Sequence, residues 1–474
     1  MNRREFIKNV ARAGVAVGFP TIIPASALGK DGAVAPSERI TMASIGLGTQ
    51  GTGNTKNFFS DKRVQIVALC DVNNTEGRQY YGYGNNETRG MRAARAQFGM
   101  DIPAFNDFRE VLEQPGIDVV TTATPDHGHA LVGLACVAKG KDVFGEKPLT
   151  RTIREGQVLR DSVMNSGCIW QTGSWQRSLP AFVRAAEIVR NGYLGQISRI
   201  KIGLPSNFKA ETLSPEPVPE GFDWEMWQGP APRSSFYNPR RTFTRWRGVT
   251  NYSAGKIADW GAHHLDIALW ALGCDDSGPK EIVPTHIEWP KDGFSDQPMK
   301  FRVSLFYNNG VEIEISDMNR NGVEFFGSKG KLFVSRETIF SDPIGIAETR
   351  ILPTEDRLFP IRHGDHFTAF IDSVLDRRIA VTDIDVAHRT NTGCLLAEIA
   401  YKLNRPIKWD IKNEKLSETN RPRAFATAHT APRGFSRPNR NNKEKRVKQH
   451  EKILFNNSGG SFDIFVHGFC RRIC

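Results

Sequence analysis

The chain has 474 residues, 39% hydrophobic and 24% charged, a composition that excludes a disordered or fibrous chain and leaves room for two or three globular domains. Its formal net charge of +11 invites a nucleic-acid partner, but residues 421–474 carry +9 and residues 1–29 carry +3, so the body between them is close to neutral. The longest uncharged run, Ala13–Gly29, is broken by Pro20 and Pro24 and falls short of the roughly 20 apolar residues of a bilayer span, so no stable membrane insertion is expected. The seven cysteines contain no C-x-x-C pair, and Cys70 and Cys136, set in apolar runs, read as buried free thiols.

The amino terminus, Asn2-Arg3-Arg4-Glu5-Phe6-Ile7-Lys8, resembles a twin-arginine signal. A modest apolar stretch, Gly14–Ile23, and an A-x-A site at Ala25-Ser26-Ala27 follow in the order of a signal peptide, which assigns residues 1–29 to it. The resemblance implies export of a folded chain, with its cofactor already seated, to the periplasm or cell exterior.

Ile40–Ile45 reads as a strand running into Gly46-Leu47-Gly48-Thr49-Gln50-Gly51, a G-x-G-x-x-G, with a helical stretch and a second strand, Val64–Asp71, behind it. Gly46 suits the tight turn, Gly48 lets the backbone approach a pyrophosphate, and Gly51 lets helix and strand pack closely. Asp71, 20 residues past Gly51, stands where a carboxylate binds the adenosine ribose hydroxyls; with no arginine in Val72-Asn73-Asn74, NAD is favoured over NADP. A strand at Asp118–Ala123, a helix at Gly128–Lys139 and a strand at Asp142–Phe144 continue a β-α-β rhythm, predicting a doubly wound Rossmann domain over 38–165. Thr124, Pro125 and His127 then fall at a strand's carboxyl end, the edge where such sheets bind ligands.

Glu146-Lys147-Pro148 follows the next strand, and Asp259-Trp260-Gly261-Ala262-His263-His264-Leu265-Asp266 fits a D-x-G-x-H-x-x-D pattern. With the glycine loop, these stretches make the chain, from about Ile40 to Asp410, resemble the Gfo/Idh/MocA oxidoreductases, the family of glucose-fructose oxidoreductase and inositol dehydrogenase. The resemblance implies that Lys147 sits at the substrate hydroxyl beside the nicotinamide, that Glu146 lines the cofactor, and that His263 is the acid/base with Asp259 its partner. Helical geometry, at about 100° per residue, puts Asp259, His263 and Asp266 on one face and turns His264 away. An acid four residues before a histidine orients its imidazole and favours the charged form. The divergence of the two histidines argues against a metal site at His263, His264 and Asp266, and no metal is expected. Gln171–Arg177 aligns with a family segment that approaches the site, making Trp175 and Arg177 candidates either for substrate contact or for packing at the domain junction.

From about Gly195 the pattern changes to short strands: 196–203, 285–289, 300–307, 311–316, 322–326 and 331–334. Helices at His366–Asp376 and Asp385–Leu403 and a strand at Ile407–Asp410 complete an α+β substrate domain over 166–411, with a large, mostly antiparallel sheet. Residues 222–252 interleave aromatics with Arg240, Arg241, Arg245 and Arg247, which suits a sugar; Tyr252 and His264 join the substrate candidates. The same composition suits single-stranded nucleic acid, but the neutral body argues against that partner. Residues 412–474 read as a disordered basic tail, or beyond 420 as a frameshifted reading frame. The expectation is an NAD-dependent oxidoreductase acting on a secondary alcohol of a sugar or polyol, self-associating through its carboxyl-terminal sheet. Redox-neutral glycoside cleavage by oxidation and elimination, and a non-catalytic sugar-binding module, remain as alternatives.

Overall fold

A computed structural model describes residues 34–74, 90–208, 211–352, 354–358 and 365–417. The twin-arginine motif, the A-x-A site and most of the expected tail, 418–474, lie outside the described residues; the start of that tail, 412–417, is ordered rather than disordered, because Lys415–Leu416 pairs antiparallel with Trp409–Asp410. Six parallel strands form the first sheet: β1 (Ile40–Ile45), β2 (Val64–Cys70), β3 (Ala104–Phe105), β4 (Val119–Thr122), β5 (Asp142–Gly145) and β6 (Trp170–Thr172), in the order 3-2-1-4-5-6. That is the doubly wound order, whose reversal between β1 and β4 opens a crevice at the strands' carboxyl ends. Alternation along the strands feeds two cores: Ala43, Ile45, Val120 and Val143 face the His129–Ala138 and Ile153–Ser166 helices, while Met42, Val119 and Phe144 face Phe58 of the Thr49–Phe59 helix.

The domain border is less tidy than the sequence suggests. β6 belongs to the first sheet, so the sheet runs to Thr172 rather than stopping near 165. The late helix His366–Asp376 also packs on this sheet, through Phe370, Ile371 and Val374, with Phe367 stacked on Phe144 at 5.3 Å.

The second sheet has nine strands: β7 (Ile197–Gly203), β8 (Glu281–Glu288), β9 (Lys300–Phe306), β10 (Glu312–Ser316), β11 (Gly322–Gly327), β12 (Gly330–Val334), β13 (Ile339–Asp342), β14 (Ile407–Asp410) and β15 (Lys415–Leu416). Their order is 13-12-11-7-10-9-8-14-15; β7 and β10 run parallel and the other neighbours antiparallel. Ile200, Ile202, Val303, Leu305, Ile313 and Ile315 bury one face against the helices Pro180–Arg190, Gly261–Leu272 and Ile384–Leu403. The opposite face is charged, with Arg199 on Glu314 at 2.6 Å. The α/β fold with a Rossmann sheet and a mostly antiparallel second sheet is the one expected. No helix among the described residues is long and apolar enough to cross a membrane.

A candidate active site at the mouth of a dinucleotide cleft

β1 ends in a turn that only glycine can make. Gly46 has φ +84°, and a Cβ there would lie 2.8 Å from the Ala123 carbonyl carbon; a Cβ on Gly51 would lie 1.7 Å from the Gly46 oxygen. The Thr49–Phe59 helix therefore starts directly over the strand end, with Gly48 as its cap and Thr49 and Gln50 exposed in its first turn. Its positive end faces a cleft lined by Gly46, Gly48, Asp71, Thr124, Pro125 and Lys147, among others. Asp71 is fixed at the end of β2: one oxygen accepts from the Leu47 amide at 2.5 Å, the other from the Asn73 amide at 2.7 Å. Burial nevertheless pushes its carboxyl up to about 6. In the opposite wall Thr124 Oγ1 and His127 Nδ1 are buried without partners. A glycine cradle, a fixed carboxylate and unspent polar atoms fit a dinucleotide.

Lys147, just beyond β5, closes one end of this cleft. Its neighbour Glu146 is buried, accepts from Asn54 Nδ2 at 3.0 Å and sits so close to Gly173 that a Cβ there would come within 2.7 Å of its Oε1. The Lys147–Pro148 peptide is cis. Lys147 Nζ donates to Asp259 Oδ1 at 2.6 Å and to the Asp259 carbonyl at 3.1 Å. Asp259 ends a short helical turn, Lys256–Asp259, that starts at Gly255 with φ +74°, where a Cβ would meet Asn207 Oδ1 at 2.7 Å. It also receives Lys256 at 2.8 Å and Arg247 at 3.5 Å. Burial alone would raise the Asp259 carboxyl; Lys147, Arg247 and Lys256 instead hold it well below the carboxylate range.

The sequence reading paired Asp259 with His263, and the structure corrects it. The turn breaks at Trp260 and a new helix begins at Gly261, so the two residues do not bond as an i, i+4 pair. His263 is 3% exposed, its Nδ1 is buried without a partner, and no described residue hydrogen-bonds its ring. Burial first, then the charges of Lys147 and Arg336, push it well below the usual histidine range, so it is neutral rather than charged. Its ring is flanked edge-on by Trp175 at 6.5 Å and Trp260 at 6.3 Å.

The remaining candidates separate. Trp175 stands beside His263. Arg177 does not line the cleft: its buried guanidinium forks onto Asp266 at 2.7 and 2.8 Å, lies over Trp270 and meets the half-buried Asp275 at 2.8 Å. This takes Asp266 out of the site as well. His264 is buried, its Nε2 on Asn321 at 3.0 Å and its Nδ1 on the Gln176 amide nitrogen at 3.1 Å. Tyr252 is 1% exposed and packs on His127 and Trp227. His127 lines the cleft but spends Nε2 on the Trp227 carbonyl at 2.8 Å, and burial lowers it to about 4. The aromatic stretch thus builds its own small core, from Phe222, Trp227, Tyr237, Trp246 and Tyr252, and lays it over the cleft.

Lys256, Trp260 and Arg336 were not singled out in the sequence. Lys256 is legible in hindsight, three residues before Asp259 on a helical turn; Arg336, in the turn between β12 and β13, carries no local signal.

Comparison with known proteins agrees with this layout. Residues 40–174 match the model "Oxidoreductase family, NAD-binding Rossmann fold" and residues 186–431, more than half of the chain, match "Oxidoreductase family, C-terminal alpha/beta domain", both of the Gfo/Idh/MocA group. The chain is similar to scyllo-inositol 2-dehydrogenase (NAD(+)) of Bacillus subtilis, 26% identical over 64% of this chain and 81% of that protein. It is also similar to myo-inositol 2-dehydrogenase of Thermotoga maritima, 23% identical over 70% of this chain and 82% of that one. Levoglucosan dehydrogenase, solved with NADH and L-sorbose, shares the fold: TM-score 0.56 and 16% identity over 78% of this chain and 99% of that one. The chain belongs to the Gfo/Idh/MocA oxidoreductase family and carries that family's NAD-binding Rossmann domain.

Proposed function

We propose that the protein transfers a hydride between NAD and a secondary alcohol carbon of a sugar or polyol. The observation that carries this reading is Lys147 Nζ, held 2.6 Å from Asp259 Oδ1 at the end of the cleft, with the unbonded imidazole of His263 close by. When bound, the nicotinamide supplies the hydride acceptor. Asp259 aims the Lys147 ammonium, which donates to the substrate hydroxyl oxygen and stabilises its developing negative charge. His263, neutral because it is buried among cations, takes the hydroxyl proton, and in the reverse direction returns it. Asp71 selects NAD over NADP, because its carboxylate would repel a 2′-phosphate.

Retention of the cofactor belongs to the same proposal. Residues 211–252 cross from the second domain and bond beside Asp71: the Asn74 amide to Gly221 O at 2.8 Å and the Asp223 amide to Val72 O at 2.9 Å. Phe222, Trp227 and Trp246 of this strap line the cleft, so departure of a dinucleotide requires the strap to open. A held cofactor suits export by the twin-arginine route. Self-association through the outer, charged face of the second sheet is part of the proposal too. The reaction is tested by offering inositols, aldoses and their aryl or methyl glycosides to purified protein while following reduced-nicotinamide absorbance and aglycone release. Stoichiometric reduction with ketone formation supports it; glycoside cleavage without net reduction favours the elimination reading instead.

A further inference from the structure

Among the described residues, cations outnumber carboxylates at the reacting end. Lys147, Lys256 and Arg247 share the single carboxylate of Asp259. A second acid, Asp126, is buried nearby and accepts from Ser253 Oγ at 2.6 Å. A fourth cation, Arg336, has no carboxylate within 4 Å among the described residues. Its guanidinium stacks on Trp175 and on Trp260, 4.6 Å from each ring centre, and these are the two indoles that flank His263. Its Nε donates to the Gln176 amide oxygen at 3.0 Å. The guanidinium carbon thus lies over both indoles and Nε is engaged, while no described residue bonds its terminal nitrogens, which are left to make a forked contact. A stacked, preoriented guanidinium is suited to bind a carboxylate through two parallel bonds. An oxidised nicotinamide would add a further positive charge at the reacting end.

We propose that the substrate is a sugar acid, a hexuronate or its glycoside, whose carboxylate docks on Arg336 while a ring hydroxyl lies between Lys147 and His263. This deepens the proposed sugar oxidation and rests on it. A charge-assisted, forked contact is expected to favour the acid over its neutral parent by about 10- to 100-fold in kcat/KM.

The test compares glucuronate, glucose and glucose 6-phosphate on holoenzyme, which separates a carboxylate from a phosphate on the same carbon. Turnover is one readout and quenching of tryptophan fluorescence on binding is the other. Preference for glucuronate in both, falling to near parity in Arg336→Gln and partly kept in Arg336→Lys, supports the proposal. Glucose bound and turned over as well as glucuronate overturns it, as does preference for the phosphate. If none of the three is oxidised, the binding arm still decides this inference, while the absent turnover counts against the proposed reaction alone.

Discussion

At the scale of single residues the account turns on what Asp259 holds. Because it grips Lys147 rather than His263, Asp259→Asn is expected to act mainly by releasing the lysine. Lys147→Met and Asp259→Asn should each lower kcat by about 10²- to 10⁴-fold while the protein still binds NAD; near-normal turnover of either variant would remove this pair from the chemistry. Asp71 provides a pH test. Its carboxyl lies near 6 in the folded protein, raised from 3.8, so it is ionised above that pH and protonated below it. Preference for NAD over NADP should therefore shrink as the pH falls from about 7.5 through 6, and in Asp71→Asn it should be small and independent of pH. A preference that does not change with pH in the native protein would place the selecting charge elsewhere.

At the scale of elements, a buried ionic cluster couples the Lys147 loop to the second domain. Arg151, four residues beyond Lys147, forks onto Glu398 of the Ile384–Leu403 helix at 2.9 and 2.9 Å, and Lys402 joins it at 2.7 Å. Burial would raise the Glu398 carboxyl, but the two cations keep it below its ordinary 4.5. The stability it contributes is therefore present above about pH 4.5 and lost as the pH falls through the lower folded value. Glu398→Gln leaves two buried cations uncompensated and should cost about 3–5 kcal/mol, read as a lower denaturation midpoint at neutral pH with a flatter loss on acidification. An unchanged midpoint would mean that the cluster is not coupled to stability. This contact explains why part of the architecture was illegible in the sequence. Alternation and turn residues announced β7, β9 and β10 because those signals are local. Arg151 and Glu398 lie 247 positions apart, and Arg177 pairs with Asp266 across 89, so no periodicity reports them. The break at Trp260 escaped for a related reason: helical angles assume an unbroken helix, and the turn here ends where Lys147 caps the Asp259 carbonyl.

At the scale of the whole molecule, two domains meet along one cleft and the strap from the second closes over the first. The glycine loop, Asp71, Lys147 and His263 were legible because each sits in a short motif; the strap's route and the stacked Arg336 were not, since both depend on how the second sheet docks. If the strap holds the cofactor, purified protein washed extensively should release NAD or NADH on denaturation, about one per chain. Empty protein that takes up NAD weakly and freely would argue against a closed strap. Opening the strap's anchor with Trp227→Ala, which removes the indole that packs on His127 and Tyr252, should speed dissociation of the cofactor. The central claim, hydride transfer from a carbinol carbon with Lys147 and His263 at its oxygen, is tested most directly by a single turnover of holoenzyme with a substrate deuterated at the carbon oxidised. The account calls for deuterium on the nicotinamide in step with ketone formation, and for both to slow together by about 10²- to 10⁴-fold in Lys147→Met. Ketone formed without label on the nicotinamide, or label transfer that persists undiminished in Lys147→Met, would contradict it.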